Sequence, residues 1–477
     1  MLQSRIKSFA SITILLRGSN NMPNPTESQS RRSTGKTARL LCSCLVLLLM
    51  SGCASYGVIH NNPGTDVSEG KPYSLKTWAH SEKADDFVFI LTFSGGGTRA
   101  SAMAYGVLQE LRDTPVVVEG RNERLLDQVT HISSVSGGSF TSAYYGLYGE
   151  DIFENFEDEF LRKDVEGYLT RSALNPFHWF GKKGRTERSA EYYNKILFHD
   201  ATFADMMQPG RPMIVINASD LSYGVRFSFI QDYFNLLCSD IRDFPVASAV
   251  TASSAVPVVF NPVVVENFSG CPEYQPPAKV VEMAEHSEEL ADMLEGLQSY
   301  NDKSNRKFIH FVDGGITDNM GLRAMSDVVT VSGGPAAMIN KMERKLPSNV
   351  VFLSVNASTQ KRPEMDQSAK QPSMLASMNA MTDIQLHRYN SATVDQVRED
   401  LETWAAQMST PEHNVNAYFI EVGFEQVSDP QLKLFLNKVP TSFNLTDEQV
   451  DSLIKSARDL VRADPEFQKL LSDLASQ

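Results

Sequence analysis

The stretch FVFILTFSGGGTRASAMAYGVL, residues 87–108, decides the fold, because it joins a strand to a helix through three glycines. The apolar run at residues 87–93 predicts a buried strand. After the glycines, Met103, Val107 and Leu111 recur at helical spacing and predict a helix. A glycine turn at a helix N-terminus gathers backbone N–H groups where the helix dipole is positive, so it binds negative charge. That charge could belong to a nucleotide phosphate or to an oxyanion formed during acyl transfer.

The same residues permit a nucleotide-binding interpretation. Gly95-x-Gly97-x-x-Ala100 matches the dinucleotide fingerprint, and residues 116–118 lead into Glu119, at about the distance of a ribose-binding acid. Two features favour acyl transfer instead. The N-terminus carries an export signal, and nicotinamide cofactors are scarce outside the cytoplasm. The next predicted strand, moreover, ends in a second specialised turn.

That second turn lies in THISSVSGGSFTSAYYGLYG, residues 130–149, which predicts a strand, a sharp turn of small residues and a helix. Residues 134–138, SVSGG, have the spacing of the nucleophile elbow G-x-S-x-G, with serine in place of the first glycine. The elbow requires small neighbours because the backbone of the nucleophile is strained and two elements pass close to it. Taken alone, this pattern would favour an ordinary serine N-cap of a helix.

A third turn follows a predicted strand in HFVDGGITDNMGL, residues 310–322, where Asp313 precedes two glycines. A glycine turn, a serine elbow and an Asp-Gly-Gly turn, in this order, resemble the patatin-like phospholipase family. Its G-G-G-x-R motif matches residues 95–99, and its D-G-[GA] motif matches residues 313–315. Two further segments, FPVASAVTASSAVPVVFNPV (244–263) and VPTSFNL (439–445), are also similar to segments of the family. The resemblance implies a three-layer α/β/α fold with a mainly parallel central sheet.

The resemblance also implies a Ser-Asp dyad, because the family uses a carboxylate where most serine hydrolases use histidine. Ser136 would be the nucleophile and Asp313 the general base. The oxyanion hole would be formed by the backbone N–H groups of Gly95, Gly96, Gly97 and Gly137. One such donor contributes about 3 kcal/mol to lowering the barrier.

Other polar residues near these motifs receive structural interpretations. His131 and His310 lie inside predicted strands and are expected to be satisfied strand histidines, while Asp318 and Asn319 are expected to form a turn. The charge of Arg99 opposes the helix dipole, which indicates a task such as binding a lipid phosphate or ordering the glycine loop. A solvated surface arginine is the alternative. No zinc spacing and no calcium loop appears, so no metal or cofactor is expected.

An export signal occupies the N-terminus. Basic residues precede an apolar run at residues 40–50, which is too short for a membrane span of about 20 residues. Residues 50–53, MSGC, resemble a bacterial lipobox with methionine at the usual leucine position, so Cys53 would be lipidated. Ala54 lacks the aspartate associated with inner-membrane retention, which implies the outer membrane. A plain secretory peptide cut near Ala54 is the alternative.

Composition limits the partners of the chain. The formal net charge of −14, without a long basic stretch, excludes a general nucleic-acid binder. Besides the lipid anchor, an aromatic and basic segment predicts either a loop that contacts a membrane interface or a cluster that closes the core. Its residues are Phe177, Trp179, Phe180, Lys182, Lys183 and Arg185. After export, Cys238 and Cys271 remain besides Cys53, which predicts one disulfide, or else two separate buried thiols.

These features divide the chain into four segments. We expect a lipoprotein signal peptide at 1–52, a tether at 53–86, a catalytic domain at 87–330, and strands and helices at 331–477 that complete or extend it. Strands are predicted at residues 87–93, 129–135, 213–217, 225–230, 308–312, 350–355 and 417–422. Helical patterns occupy residues 279–306 and the tail from Thr446.

The leading hypothesis is a lipid acyl hydrolase of the phospholipase A or lysophospholipase type, which releases fatty acid from a phospholipid or lysophospholipid. Two alternatives remain: a non-catalytic envelope lipoprotein that uses the fold for binding, and an acyltransferase with the same dyad. The presence of both Ser136 and Asp313 argues against a relative that has lost its activity.

Overall fold

The computed structural model describes residues 58–64, 71–79, 87–118, 120–174, 183–257, 259–360 and 369–476. The predicted signal peptide and Cys53 lie outside the described residues. So do Glu119 of the nucleotide interpretation and Phe177, Trp179, Phe180 and Lys182 of the predicted membrane loop. Within the described ranges, no helix combines the length and the hydrophobicity that crossing a bilayer requires.

Strands fall into one large sheet and two small ribbons. In chain order they are β1 (Asn62–Pro63), β2 (Phe87–Phe93), β3 (Pro115–Val118), β4 (Arg121–Arg124), β5 (His131–Val135), β6 (Met213–Asp220), β7 (Arg226–Ser228), β8 (Ser239–Asp240), β9 (Val263–Glu266), β10 (Phe308–Asp313), β11 (Asn349–Asn356) and β12 (Asn416–Gly423). The large sheet has the order β12-β11-β2-β5-β6-β10-β9, and β7 pairs with β6 beside it. The ribbons are β1 with β8 and β3 with β4.

Helices flank the large sheet. Those of the described residues are α1 (Leu75–Ala79), α2 (Thr98–Asp113), α3 (Gly137–Tyr148), α4 (Ile152–Phe156), α5 (Val165–Leu174), α6 (Arg185–Tyr193), α7 (Gln231–Phe234), α8 (Val246–Ser253), α9 (Ala278–Ala284), α10 (Glu288–Ser299), α11 (Gly315–Asp318), α12 (Arg323–Val331), α13 (Pro335–Lys341), α14 (Met374–Met408), α15 (Pro430–Lys438), α16 (Asp447–Ala463) and α17 (Pro465–Ala475). Thr446, where the predicted helical tail begins, caps α16, since its hydroxyl accepts the Gln449 N–H.

The sheet is mixed, and its register brings the predicted site together. Strands β12, β11, β2, β5 and β6 run parallel, whereas β10 is antiparallel to β6 and to β9. Val135 lies opposite Asn217 of β6, and Asp313 lies opposite the next residue, Ala218. The ends of β5 and β10 therefore flank one point of β6 from its two sides. The predicted α/β class is confirmed, with antiparallel strands joining one side of a parallel core.

The topology contradicts the nucleotide interpretation. In a dinucleotide-binding unit, the strand that ends in the ribose-binding acid lies in the same sheet as the strand before the glycine turn. Here Val116–Val118 belongs to β3, which pairs with β4 outside the large sheet. The neighbour of β2 is β5, the strand before Ser136.

The predicted tether is wrong for two of its stretches. In residues 58–64, the Ile59 N–H donates to Val264 O at 2.8 Å, and β1 pairs with β8. In residues 71–79, Tyr73 is fully buried and its hydroxyl donates to Ile214 O at 2.8 Å. Both stretches pack on the body because residues distant in sequence pair with the first and surround Tyr73 of the second, which local composition does not reveal.

Cys238 and Cys271 form a disulfide, with a sulfur–sulfur distance of 1.97 Å. It lies beside the docked N-terminal stretch, since the Gly64 N–H donates to Cys238 O at 3.1 Å. The disulfide thus joins the end of one helical turn to the loop that follows β9.

The C-terminal third of the chain is integral to the fold. Strand β11 pairs with β2 and β12 pairs with β11, so both extend the large sheet. Helix α16 packs against α2, where the Glu110 carboxylate accepts hydrogen bonds from Arg458 and Arg462. Residues 331–477 therefore share one core with the residues that precede them.

Candidate active site

Ser136 occupies a sharp turn between β5 and α3. Its φ of 49° and ψ of −118° lie in a region that residues with a side chain adopt only under constraint. Its backbone N–H donates to Ser253 Oγ at 2.8 Å. This is the strained strand-to-helix geometry that the elbow pattern predicts, and it turns the Ser136 hydroxyl away from the sheet.

The neighbours of Ser136 are small because the glycine turn passes against them. A Cβ at Gly137 would lie 2.1 Å from Gly97 O, so no side chain fits there. Ser101 of α2 reinforces the contact, because its hydroxyl donates to Gly137 O at 2.6 Å. The first and second motifs of the sequence are thus in direct contact.

Asp313 accepts the hydroxyl of Ser136. The Ser136 Oγ–Asp313 Oδ2 distance is 2.9 Å, and Asp313 Oδ1 accepts the Gly315 N–H at 2.8 Å. Both side chains are buried, with exposed fractions of 7% for Ser136 and 8% for Asp313. Burial raises the pKa of the Asp313 carboxyl to about 6, although the hydrogen bonds from Gly315 and Ser136 lower it. Above that pH the carboxylate is ionised and oriented to take a proton from Ser136.

The glycine turn offers fewer donors than the motif predicts. The Gly95 N–H donates to Asn319 O at 3.0 Å, so the prediction that Gly95 supplies an oxyanion donor is wrong. Within the described ranges, no acceptor takes the N–H groups of Gly96, Gly97 or Gly137. Gly137 follows Ser136 in the chain, Gly97 lies against Gly137, and Gly96 belongs to the same turn, so these three amides are the candidate oxyanion donors.

Gly97 packs against residues 439–445, the C-terminal segment that also resembles the family. Its φ is +61°, and a Cβ there would lie 2.6 Å from Ser442 O. The same carbonyl accepts the Thr98 N–H at 3.0 Å, at the start of α2. The glycine turn therefore fits against residues 439–445, and only glycine meets both the conformation and the space.

Arg99 orders the turn. It is buried, with an exposed fraction of 3%, which contradicts the alternative of a solvated surface arginine. Its Nε donates to Ala357 O and its Nη1 to Val439 O, both at 2.8 Å. Arg99 thus ties the helix after the glycine turn to the end of β11 and to the C-terminal segment. A guanidinium committed to two buried carbonyls favours loop ordering over the binding of a lipid phosphate.

The remaining polar residues take structural places. His131 Nδ1 lies 3.0 Å from Thr130 Oγ1, and His310 is half-buried within β10. The partner of the Ser136 hydroxyl is a carboxylate and not an imidazole. Asp318 Oδ2 accepts the Ala324 N–H at 3.0 Å, and Asn319 Nδ2 donates to Ser358 Oγ at 3.2 Å, so both residues shape the segment after the Asp-Gly-Gly turn.

Three supporting residues could not be identified from the sequence. Ser253 contacts the Ser136 backbone, Ser101 contacts Gly137, and Ser219 donates to Asp313 O at 2.8 Å. Each is one serine among many, and each acts across more than thirty residues of chain. The only signal was for Ser253, which lies in the segment 244–263 that resembles the family.

Comparisons with solved structures find several distant likenesses. The human GIVD cytosolic phospholipase A2 is 13% identical, with a TM-score of 0.40, over 82% of this chain and 60% of that one. The same human protein in complex with methyl gamma-linolenyl fluorophosphonate is 13% identical, with a TM-score of 0.36, over 82% of this chain and 59% of that one. VipD from Legionella pneumophila is 14% identical, with a TM-score of 0.33, over 89% and 72%. This chain thus spans about 60% of the length of the human enzyme.

No curated protein matches the chain significantly. The family model for patatin-like phospholipase matches residues 91–325, which include the glycine turn after its first strand, the elbow and the Asp-Gly-Gly turn. The α/β architecture described above agrees with that match. Residues 91–325 therefore form a patatin-like phospholipase domain.

Proposed function

We propose that the chain is a lipid acyl hydrolase of the phospholipase A or lysophospholipase type. The family match supports lipid hydrolase activity in general. The observation that carries the specific mechanism is the 2.9 Å hydrogen bond from Ser136 Oγ to the buried Asp313 carboxylate, together with three unoccupied amides. In this proposal, the nucleophile, the base and the oxyanion donors act together on one ester carbonyl.

In the proposed first half-reaction, Ser136 Oγ attacks the ester carbonyl and Asp313 Oδ2 takes the hydroxyl proton. The negative charge that forms on the carbonyl oxygen is met by the N–H groups of Gly96, Gly97 and Gly137. The C–O bond to the alcohol then breaks, and Asp313 returns the proton to the leaving alcohol. The product of this half-reaction is an acyl ester of Ser136.

The second half-reaction repeats these roles with water. Asp313 takes a proton from the attacking water, and the tetrahedral intermediate uses the same amides. Collapse of the intermediate returns the proton to Ser136 and releases the fatty acid. A carboxylate of ordinary pKa is a weak base for a serine hydroxyl, so the raised pKa of Asp313, about 6, favours this step.

We also propose that the chain acts at the outer membrane. Lipidation at Cys53 would anchor the mature chain in the outer membrane, and the loop containing Trp179 would touch the lipid surface. The catalytic unit is proposed to begin at residue 87, with 331–477 completing it. The pairing of β11 with β2 supports the latter point, because the core strand β2 has no other neighbour on that side.

The test is release of fatty acid from vesicles of a defined phospholipid and from the corresponding lysophospholipid. We expect the wild-type chain to release free fatty acid. The rate of release by Ser136→Ala should be lower by at least about a thousandfold. Separation of free fatty acid from acylated acceptor distinguishes hydrolysis from acyl transfer. Undiminished release by Ser136→Ala would contradict the proposed nucleophile.

A further inference from the structure

One fully buried hydroxyl, which the proposed reaction does not use, joins the elbow to the rest of the site. Ser253, the last residue of α8, places its Oγ 2.8 Å from Ser136 N and 2.6 Å from Asn217 O. Ser139 Oγ lies 3.0 Å from the same atom. The elbow, strand β6 and helix α8 therefore meet at a single oxygen.

The direction of every hydrogen bond to this oxygen follows from its valence. A serine hydroxyl has one proton to donate and two lone pairs. The Asn217 carbonyl can only accept, so it takes the Ser253 proton, and the Ser136 N–H can only donate, so it occupies one lone pair. Ser139 must then donate to the second lone pair. With its hydrogen-bonding capacity filled, the Ser253 hydroxyl has no proton to contribute to the reaction.

The backbone around Ser253 holds the other half of the dyad. Ser253 O accepts the Gly314 N–H at 3.0 Å, and Ala255 O accepts the Asp313 N–H at 3.0 Å. The side chain of Ser253 therefore holds the turn that carries the nucleophile, while its main chain holds the turn that carries the base. The distance between Ser136 Oγ and Asp313 Oδ2 therefore depends on the contact of the Ser253 hydroxyl with Ser136 N and on that of the Ser253 carbonyl with Gly314 N.

We propose that Ser253 is a positioning residue that keeps Ser136 in its strained conformation at attacking distance from the substrate. This inference rests on the proposed function. A positive φ at a serine persists only where the surroundings hold it, and the hydrogen bond from Ser136 N–H to Ser253 Oγ does so. Without the hydroxyl, the buried Ser136 N–H has no acceptor, and the elbow changes conformation until this N–H reaches another one. The Ser136 hydroxyl then leaves both Asp313 and the free amides.

Ser253→Ala tests this role, and Ser254→Ala is its matched control. Ser254 is the next residue and is also buried, but its hydroxyl contacts only carbonyls of α8, donating to Val250 O at 2.8 Å with Thr251 O 3.4 Å away. An alkyl fluorophosphonate reports two quantities for each variant: the rate constant of labelling at Ser136 and the final labelled fraction. The first depends on the geometry of the elbow, and the second on the amount of folded protein.

We expect Ser253→Ala to be labelled roughly 10- to 100-fold more slowly, to the same final fraction as the wild-type chain. Ser254→Ala should remain within about threefold of the wild-type rate. In the ester assay, Ser253→Ala should lower kcat and leave KM within about threefold, because substrate binding does not involve this side chain. If Ser253→Ala does not accumulate, Ser253→Cys, whose sulfur is a weak acceptor of similar size, carries the same expectation.

Labelling of Ser253→Ala at the wild-type rate would overturn the inference. A reduced labelled fraction at an unchanged rate would overturn it too, because it would reveal a purely structural residue. Both outcomes leave the proposed function intact, since the wild-type chain would still be labelled at Ser136. Failure of the wild-type chain to react at Ser136 would remove the proposed function, and the inference with it.

Discussion

At the scale of single residues, the character of the site comes from a carboxylate held where water is scarce. Asp313 is almost fully buried, its two hydrogen bonds do not offset the cost of removing its charge from water, and its pKa rises to about 6. The fold therefore bears an unfavourable charge at neutral pH. We infer that the same feature makes Asp313 a stronger base than an exposed aspartate.

Asp313→Asn should make the chain more stable at neutral pH while abolishing ester turnover. Because the folded pKa lies above the ordinary value of 3.8, ionisation disfavours the folded state progressively as the pH rises from about 4 to about 6, and fully above that. The free energy of unfolding of the variant, relative to wild type, should be about 2.5 kcal/mol larger at pH 8 than at pH 4. Denaturant titrations at the two pH values check this. An equal difference at both pH values would show that burial does not raise the pKa of Asp313.

The pH dependence of turnover should follow the same group. We expect kcat/KM to rise tenfold per pH unit below about pH 6 and to level off above it, as Asp313 loses its proton. Asp318→Asn is the matched control, since Asp318 is also buried and its pKa is also raised to about 6 by burial. Its Oδ2 accepts a backbone N–H of α12 and no hydroxyl of the site, so the control should keep the wild-type profile. If the decrease in kcat/KM at low pH disappears in Asp318→Asn, that decrease reports Asp318 and the prediction for Asp313 is contradicted.

At the scale of elements, three turns are positioned by strand order and by contacts between segments distant in sequence. The elbow and the Asp-Gly-Gly turn meet because β5 and β10 flank β6 in matching register. The glycine turn joins them because Gly137 lacks a side chain and Ser442 O fills the space beside Gly97. The strand patterns were sufficient to predict the turns, whereas the contacts that bring them together leave no periodic signal.

Gly97→Ala should damage both stability and turnover, because its φ is +61° and its new Cβ would meet a backbone oxygen at 2.6 Å. Gly210→Ala is the control, with a φ of +74° and no atom within 4 Å of the added Cβ. The control should lose about 1 kcal/mol from backbone conformation alone, and Gly97→Ala about 3 kcal/mol. Thermal unfolding and ester turnover measure the two effects. Equal losses of stability in the two variants would mean that the Ser442 carbonyl moves away from the new Cβ at no energetic cost.

At the scale of the whole molecule, the sequence predicted the layout better than the boundaries. All seven predicted strands occur in the large sheet. Strand β6 continues through Ala218, Ser219 and Asp220, because neighbouring strands bury these small and polar residues on both sides. Composition alone marked residues 53–86 as a tether, yet Tyr73 lies in the core. Strand patterns depend on local hydrophobicity, while the docking of Tyr73 depends on Ile214, more than a hundred residues away.

The last segment of the chain, residues 439–477, should be indispensable. Deletion of residues 439–477 removes α16, whose apolar face is buried against α2, together with the carbonyls that hold Thr98 and Arg99. We expect the shortened chain to lose soluble expression and fluorophosphonate labelling, because the exposed apolar face of α2 destabilises the fold. Soluble yield and labelled fraction are the measurements. A soluble, normally labelled product would show that neither the fold nor the site requires residues 439–477.

The central claim is that Ser136, Asp313 and the free amides of the glycine turn form one reactive centre. The most direct measurement is mass mapping of the covalent adduct after incubation of the intact chain with an alkyl fluorophosphonate, in the wild type, Ser136→Ala and Asp313→Asn. The account predicts one adduct per chain, on Ser136, absent from Ser136→Ala and formed at least about a hundredfold more slowly in Asp313→Asn. An adduct on another residue, or equal labelling of Ser136→Ala, would contradict it.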